Sequence, residues 1–323
     1  MRWNPVLSEW VVTATHRQER TFLPPAGFCP LCPTRAGGFP TEIPRENYDI
    51  VVFENKFPSL RKDPAPPVVR GTDLFPVAPS KGVCEVVLYS SQHEGSLAEM
   101  PLAKVHELVR VWKDRYEELG GRPEIQYVFI FENKGEAIGV TIPHPHGQIY
   151  AFPFIPPKVE KEIESEQEHH QKTGRCLHCD IVAAELGEPA RVVLENERFV
   201  AIVPFYARYP YEVHVYAKQH CPSMSEFSLE AEIDLARILF LLLRKYDNLW
   251  GMSMPYMMVM HQRPTDGKTH PGSHFHIEFY PPHRTKEKLK YLAGCESGAG
   301  TFVNDTLPEE TAAELRNVEP HKV

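Results

Sequence analysis

The 323-residue sequence has no long apolar run, and stretches such as Ile238–Leu243 fall far short of a membrane span. Met1-Arg2-Trp3-Asn4-Pro5 opens no apolar signal segment, so a secretory leader is not expected. A basic excess is missing too. Lys and Arg number 35 against 43 Asp and Glu, for a net charge of −8, so no partner with a nucleic-acid backbone is expected. The 7 cysteines are too few, and odd in number, for a disulfide-stapled secreted scaffold. The expected compartment is therefore the reducing cytoplasm. Apolar residues are not scarce: at 42%, with 24% charged, they exclude global disorder. The length suits about two ordinary domains. Proline is abundant at 31, which argues for many fixed turns rather than a helical bundle.

Periodicity predicts the elements. Tyr48–Phe53, Val83–Tyr89, Tyr127–Phe131 and Gln148–Phe152 read as strands. So do Arg191–Leu194, Phe199–Val203, Val213–Tyr216, Met257–Met260 and His276–Tyr280. Leu97–Leu119 reads as an amphipathic helix, with Leu102, Val105, Val109, Trp112 and Tyr116 on one face. Leu229–Leu249 reads as a second helix, and Lys158–Lys172 as an exposed charged helix or linker. His169, His170 and His321 read as surface residues.

The order of elements repeats about residue 172. In the first half, Cys29-x2-Cys32, His93, a long helix and His144-Pro145-His146-Gly147-Gln148 follow one another. In the second, Cys176-x2-Cys179, His220, a long helix and His274-Phe275-His276-Ile277-Glu278 do the same. The intervening gaps are 60 and 50 residues, then 40 and 53. This implies a duplicated α+β unit with mostly antiparallel sheets and helices packed on them. The halves are expected at 1–172 and 173–323, either as two domains or as one pseudo-symmetric body.

Each half holds two cysteines and two histidines, a tetrahedral zinc set. Cys29, Cys32, His93 and His144 form the first candidate site. Cys176, Cys179, His220 and His274 form the second. Four protein ligands leave no open position, so zinc there would be structural. His146 and His276 each follow a proposed ligand by two residues, and so share its face of a strand. Pro143 and Pro145 stiffen the first segment. A rigid imidazole of fixed tautomer is a good nucleophile towards phosphorus, which makes His146 the candidate. Upstream, the glycine-containing loop 131–141 offers backbone N–H groups, the Asn133 amide and the Thr141 hydroxyl to a phosphate.

Phe131–Tyr150, with Glu-Asn-Lys-Gly and then Pro-His-Pro-His-Gly-Gln, resembles the galactose-1-phosphate uridylyltransferase family of the histidine triad superfamily. The resemblance runs from Trp10-Val11 and His16-Arg17 to Phe279-Tyr280-Pro281-Pro282 and Lys290-Tyr291. It implies a ping-pong exchange between UDP-glucose and galactose 1-phosphate through a uridylyl group on His146. By matching position, Gln148 would bond the phosphoryl oxygens. Asn55, Asn133, Gly139 and Thr141 would hold the nucleotide. Arg17, Arg20, Lys290 and Glu296 would reach sugar and phosphate from the partner of a homodimer. Some members hold iron in the second half through one Glu and three His. Glu162, His261 and His276 match three of those positions, with Glu278 at the fourth, and zinc on the Cys/His set is the expected alternative. The second half, with Glu278 in place of Gln148, is expected to be catalytically silent.

Three other functions compete. A relative could use another nucleotide, such as ADP, or another sugar 1-phosphate. A dinucleotide hydrolase would need a third histidine where Gln148 stands. From a different class, a zinc-stabilised nucleotide-binding protein would show no turnover.

Overall fold

The computed structural model describes residues 1–15, 17 and 27–320. A short hairpin, β1 (Arg2–Asn4) and β2 (Glu9–Val11), precedes the first half. That half contains β3 (Val51–Glu54), β4 (Val83–Leu88), α1 (Leu102–Gly120), β5 (Tyr127–Lys134) and β6 (His146–Phe152). Helix α2 (Pro157–Thr173) follows. The second half runs through α3 (Leu177–Gly187), β7 (Val192–Glu195), β8 (Phe199–Ile202), β9 (Val213–Ala217), α4 (Leu229–Leu249), β10 (Tyr256–His261) and β11 (His276–Tyr280). A small hairpin, β12 (His283–Thr285) and β13 (Lys288–Leu289), and two helices, α5 (Gly294–Ala299) and α6 (Pro308–Asn317), close the chain.

Both halves contribute to one nine-stranded sheet, in the order β3-β4-β6-β5-β10-β11-β9-β8-β7. Every neighbouring pair in it is antiparallel. The order makes the duplication visible: β3-β4-β6-β5 mirrors β10-β11-β9-β8 about the β5–β10 joint. There Phe131 pairs with Val259, Glu132 with Met258 and Asn133 with Met257. Of the two arrangements open to the sequence, the structure adopts the single pseudo-symmetric body.

One apolar core spans the joint. Val105, Leu108, Val109 and Trp112 of α1 and Leu235, Ile238, Leu239 and Leu242 of α4 belong to the same buried cluster as Ile149, Val215 and Ile277 of the sheet. Each such side chain is worth roughly 1.5–3 kcal/mol relative to exposure. Helix α1 starts at Leu102, not Leu97, because Pro101 takes an extended conformation (ψ 147°). A proline disfavours helical geometry in the residue before it. The Pro101 carbonyl instead accepts from the Lys104 and Val105 N–H groups. Helix α4 begins as its sequence suggests, with the Ser228 hydroxyl accepting from the Ala231 N–H at 3.3 Å. No described helix is long and apolar enough to cross a membrane.

Candidate active site and metal clusters

Both predicted Cys/His sets converge. In the first, Cys29 Sγ lies 3.9 Å and Cys32 Sγ 3.7 Å from His144 Nδ1, and Cys32 Sγ lies 3.5 Å from His93 Nδ1. In the second, Cys176 Sγ and Cys179 Sγ lie 3.6 and 3.5 Å from His274 Nδ1, and Cys179 Sγ lies 3.7 Å from His220 Nδ1. A tetrahedron with zinc–sulfur bonds of about 2.3 Å and zinc–nitrogen bonds of about 2.0 Å has an S···N edge of roughly 3.6 Å. The second layer repeats as well. His144 Nε2 donates to the Ser90 carbonyl at 2.8 Å, and His274 Nε2 to the Ala217 carbonyl at 2.8 Å. That bond places the proton on Nε2 and turns the Nδ1 lone pair to the cluster, as metal-bound histidines require. Each cluster can hold a metal ion.

The sequence treats zinc and iron as alternatives in the second half, and the structure separates their ligands into two places. Glu162, His261 and His276 offer three ligand atoms within 4.8 Å of one another, apart from the Cys/His set. These three can hold a metal ion, and Glu278 lies beside them. Lys158 Nζ bonds Glu278 and lies 3.7 Å from Glu162. His261 meets Glu162 through Nδ1 at 2.6 Å and Glu278 through Nε2 at 3.3 Å. Burial opposes a charge on His261, but the Glu162 and Glu278 carboxylates outweigh it and lift the imidazole to about 9. Arg208 and His214 also face Glu278, at 3.7 and 3.5 Å, so that carboxylate is shared among several partners.

His146 opens β6, two residues beyond the metal-side His144. Its Nδ1 donates to the His144 carbonyl at 2.7 Å, which leaves the lone pair on Nε2. Three cavities meet at this imidazole. One, of about 280 Å³, has apolar walls from Leu31, Phe53, Phe57 and Val86, with Asn55 and Gln148 at its polar end. Another, of about 160 Å³, is lined by Arg17, Asn133, Gly139, Thr141 and Gln148. The third, of about 270 Å³, again includes Asn133 and Thr141. An apolar slot beside a cluster of donors suits a base joined to phosphates. The Asn55 amide donates to Gln148 Oε1 at 3.4 Å, and the Thr141 hydroxyl is buried with no hydrogen-bond partner. Gly139, at φ 84°, takes a left-handed turn that favours glycine. The motif's Lys134 pairs with Asp247 of α4 at 2.8 Å.

Gly147 is fixed by space. A Cβ on it would sit 2.3 Å from Tyr89 Oη and 3.2 Å from the Phe131 carbonyl oxygen. Tyr89 Oη is itself anchored, donating to buried Glu132 at 3.1 Å, so it cannot simply swing away. Gly147→Ala is expected to push β6 out of place and cut turnover by about a hundredfold at unchanged metal content. Steady-state rates beside elemental analysis check it.

The comparisons with known proteins agree with this geometry. The model of the galactose-1-phosphate uridyl transferase N-terminal domain matches residues 1–156, and that of its C-terminal domain residues 162–323. This chain belongs to the galactose-1-phosphate uridyl transferase family. The Thermotoga maritima galactose-1-phosphate uridylyltransferase is 43% identical, over 99% of this chain and 98% of its own. The Haemophilus influenzae enzyme is 34% identical, over 98% and 93%. A solved uridylyltransferase structure superposes with a TM-score of 0.87 at 35% identity, covering 98% of this chain and 96% of that one.

Within the family frame, the remaining predicted residues fall in different places. Arg17 lines the cavity of its own chain's His146 and donates to Ser59 and to Tyr150. Arg20 lies outside the described residues, as do His16 and His321. Lys290 and Glu296 pair with each other at 3.3 Å and line none of the three cavities around His146. His276 donates from Nδ1 to the His274 carbonyl at 2.9 Å, as His146 does to His144. It is buried, however, and stacked on His261 at 4.9 Å and on Tyr216 at 5.1 Å, with no room for a substrate. His169 is half-buried and bonds Asp180 at 2.7 Å, so it is not the free surface group its sequence context suggests. The apolar walls Phe53, Phe57 and Val86 escape a motif reading, because only their position beside Gln148 gives them a role.

Proposed function

We propose that the chain exchanges uridine monophosphate between UDP-glucose and galactose 1-phosphate through a covalent intermediate on His146. The observation that carries it is the setting of this imidazole: its Nδ1 donates to the His144 carbonyl, and the ring lines both an apolar slot and a donor-lined cavity. In the first half-reaction Nε2 attacks the α-phosphorus, a P–N bond forms, the bond to the bridging oxygen breaks, and glucose 1-phosphate leaves. In the second, a phosphate oxygen of galactose 1-phosphate attacks the same phosphorus, the P–N bond breaks, and UDP-galactose leaves. Gln148, Asn133 and Thr141 are the donors for the phosphoryl oxygens, and the partnerless Thr141 hydroxyl supports that role. Asn55 and Gly139 complete the nucleotide contacts, and Arg17 adds a cation. Gln148 donates hydrogen bonds and supplies no proton, which suits a phosphate acceptor that needs none.

The two Cys/His clusters are read as structural zinc sites, closed by four protein ligands each. The enzyme is further read as a cytoplasmic homodimer. In it Lys290, Glu296 and Arg20 serve a neighbouring copy's site, and the first two line none of the three cavities around their own His146. The halves 1–172 and 173–323 are read as a catalytic and a structural unit.

The test is incubation with UDP-glucose and no acceptor, followed by intact mass. One uridylyl group per chain and an equal amount of released glucose 1-phosphate are expected, and galactose 1-phosphate should then discharge the adduct as UDP-galactose. Neither adduct nor release would overturn the reading. An adduct from ADP-glucose instead would keep the covalent route and change the base.

A further inference from the structure

On the helix-packed face of the sheet, directly behind the nucleophile, lies a polar bridge in an otherwise apolar layer. Continuing the β5–β6 register by one step sets Glu132 opposite Gly147, the residue between His146 and Gln148. Glu132 is 5% exposed. Its Oε2 accepts from Tyr89 Oη at 3.1 Å, and its Oε1 accepts from Tyr256 Oη at 3.1 Å. Tyr89 follows β4, and its N–H donates to the Pro145 carbonyl at 3.2 Å, just ahead of His146. Its hydroxyl fills the space a Gly147 side chain would need. Tyr256 opens β10 and belongs to the other half of the duplication. A hydroxyl–carboxylate–hydroxyl chain thus runs from the catalytically silent half to the underside of the catalytic strand.

We propose that Glu132, in its ionised form, is a positioning residue for His146, holding Tyr89 and Tyr256 as donors beneath Gly147 and so setting the depth of the nucleophile strand. This rests on the reading of His146 as the nucleophile. The carboxylate form matters because both tyrosines can then donate to it. A neutral acid must donate through one oxygen and so turn one hydroxyl into an acceptor. Burial pushes the Glu132 carboxyl up to about 7, against the pull of the Lys134 ammonium and the two tyrosine hydroxyls. The charged and titratable groups facing it are Lys134 on its own strand, Tyr89, Tyr256 and Asp247 of α4. Glu94, Glu136, His144 and His146 line the cavity it borders. The bridge therefore changes state close to neutral pH.

Glu132→Gln is the test, because an amide imitates the neutral acid in shape and in hydrogen bonding. The rate of uridylylation by UDP-glucose is measured for both proteins from pH 5.5 to 8.5, together with KM. Taking the wild-type to variant ratio cancels the ionisations they share, including those of His146 and of the substrates. The ratio is expected to lie near one at the acid end and to rise through about pH 7 to about tenfold, with KM within about twofold. A ratio that does not change with pH would assign Glu132 a purely structural role and overturn the proposal. If Glu132→Gln does not fold, Tyr256→Phe decides. Removing one donor to the carboxylate destabilises its ionised form, so the rise in the variant's own profile should move to higher pH. An unmoved profile would overturn the proposal. A wild-type protein that forms no adduct would instead overturn the reading of His146, which keeps the two failures apart.

Discussion

His146→Ala takes up no uridylyl group from UDP-glucose, and its turnover falls by at least about 10⁴-fold, while UDP-glucose still binds within about threefold of the wild-type affinity. The size follows from the absence of a substitute among the described histidines near the site. His144 is the nearest imidazole in sequence, but its Nε2 is committed to the Ser90 carbonyl and its Nδ1 faces Cys29 and Cys32. His93 points its Nδ1 at Cys32. His276 has the right backbone setting and is walled in by His261 and Tyr216. Binding survives because the apolar slot and the donor cavity are built by other side chains, Phe53 and Asn55 on one side and Asn133 and Thr141 on the other. Intact mass after incubation and a titration of UDP-glucose, run side by side, separate the two effects. An adduct on the variant, or turnover within tenfold of wild type, would show that phosphorus is attacked by something else.

What could be read in the sequence was what sits close together along it, or what the duplication stated twice. His146 and Gln148 lie on one strand, so alternation places them on one face, whereas His144 stands just ahead of that strand. Their long-range partners Cys29, Cys32 and His93 were legible because Cys176, Cys179 and His220 stand in the same order before His274. The parts that were not legible depend on pairings between distant segments. Nothing in Tyr127–Lys134 or Tyr256–His261 says that the two strands meet, since a buried central strand looks alike whatever its neighbour. That pairing merges two expected units into one sheet, and it also brings Tyr256 to Glu132. Helix α3 leaves no periodic signal, because Leu177–Gly187 is apolar around much of its circumference and shows no single stripe. The terminal helices α5 and α6 and the edge hairpins are short, where periodicity is weakest. Arg17 lines a cavity beside its own chain's His146, a placement that no motif states.

The metal clusters carry the second large effect, and their positions make it unequal. Purified protein is expected to contain two zinc ions per chain by elemental analysis. Cys29→Ser and Cys176→Ser are each expected to lose one of them, lowering the melting temperature by roughly 10 °C or more. Structural zinc is worth on the order of 10 kcal/mol in small fingers, and part of that should appear here because each cluster joins segments far apart in sequence. The first cluster ties the Cys29–Cys32 turn and the loop after β4 to His144, whose carbonyl fixes the His146 tautomer. Its loss should therefore also lower the turnover of protein that is still folded, by about tenfold or more. The second cluster makes the same ties around His276, which meets no substrate. Its loss should leave the turnover of folded protein within about threefold. Melting curves and rates measured on both variants at a temperature below either transition test this asymmetry. Equal losses of turnover would mean that zinc supports the sheet as a whole. A melting temperature unmoved by either substitution would mean that the clusters are reduced thiols packed beside histidines. The difference between the two copies of the duplicated unit lies in the open cavities beside His146.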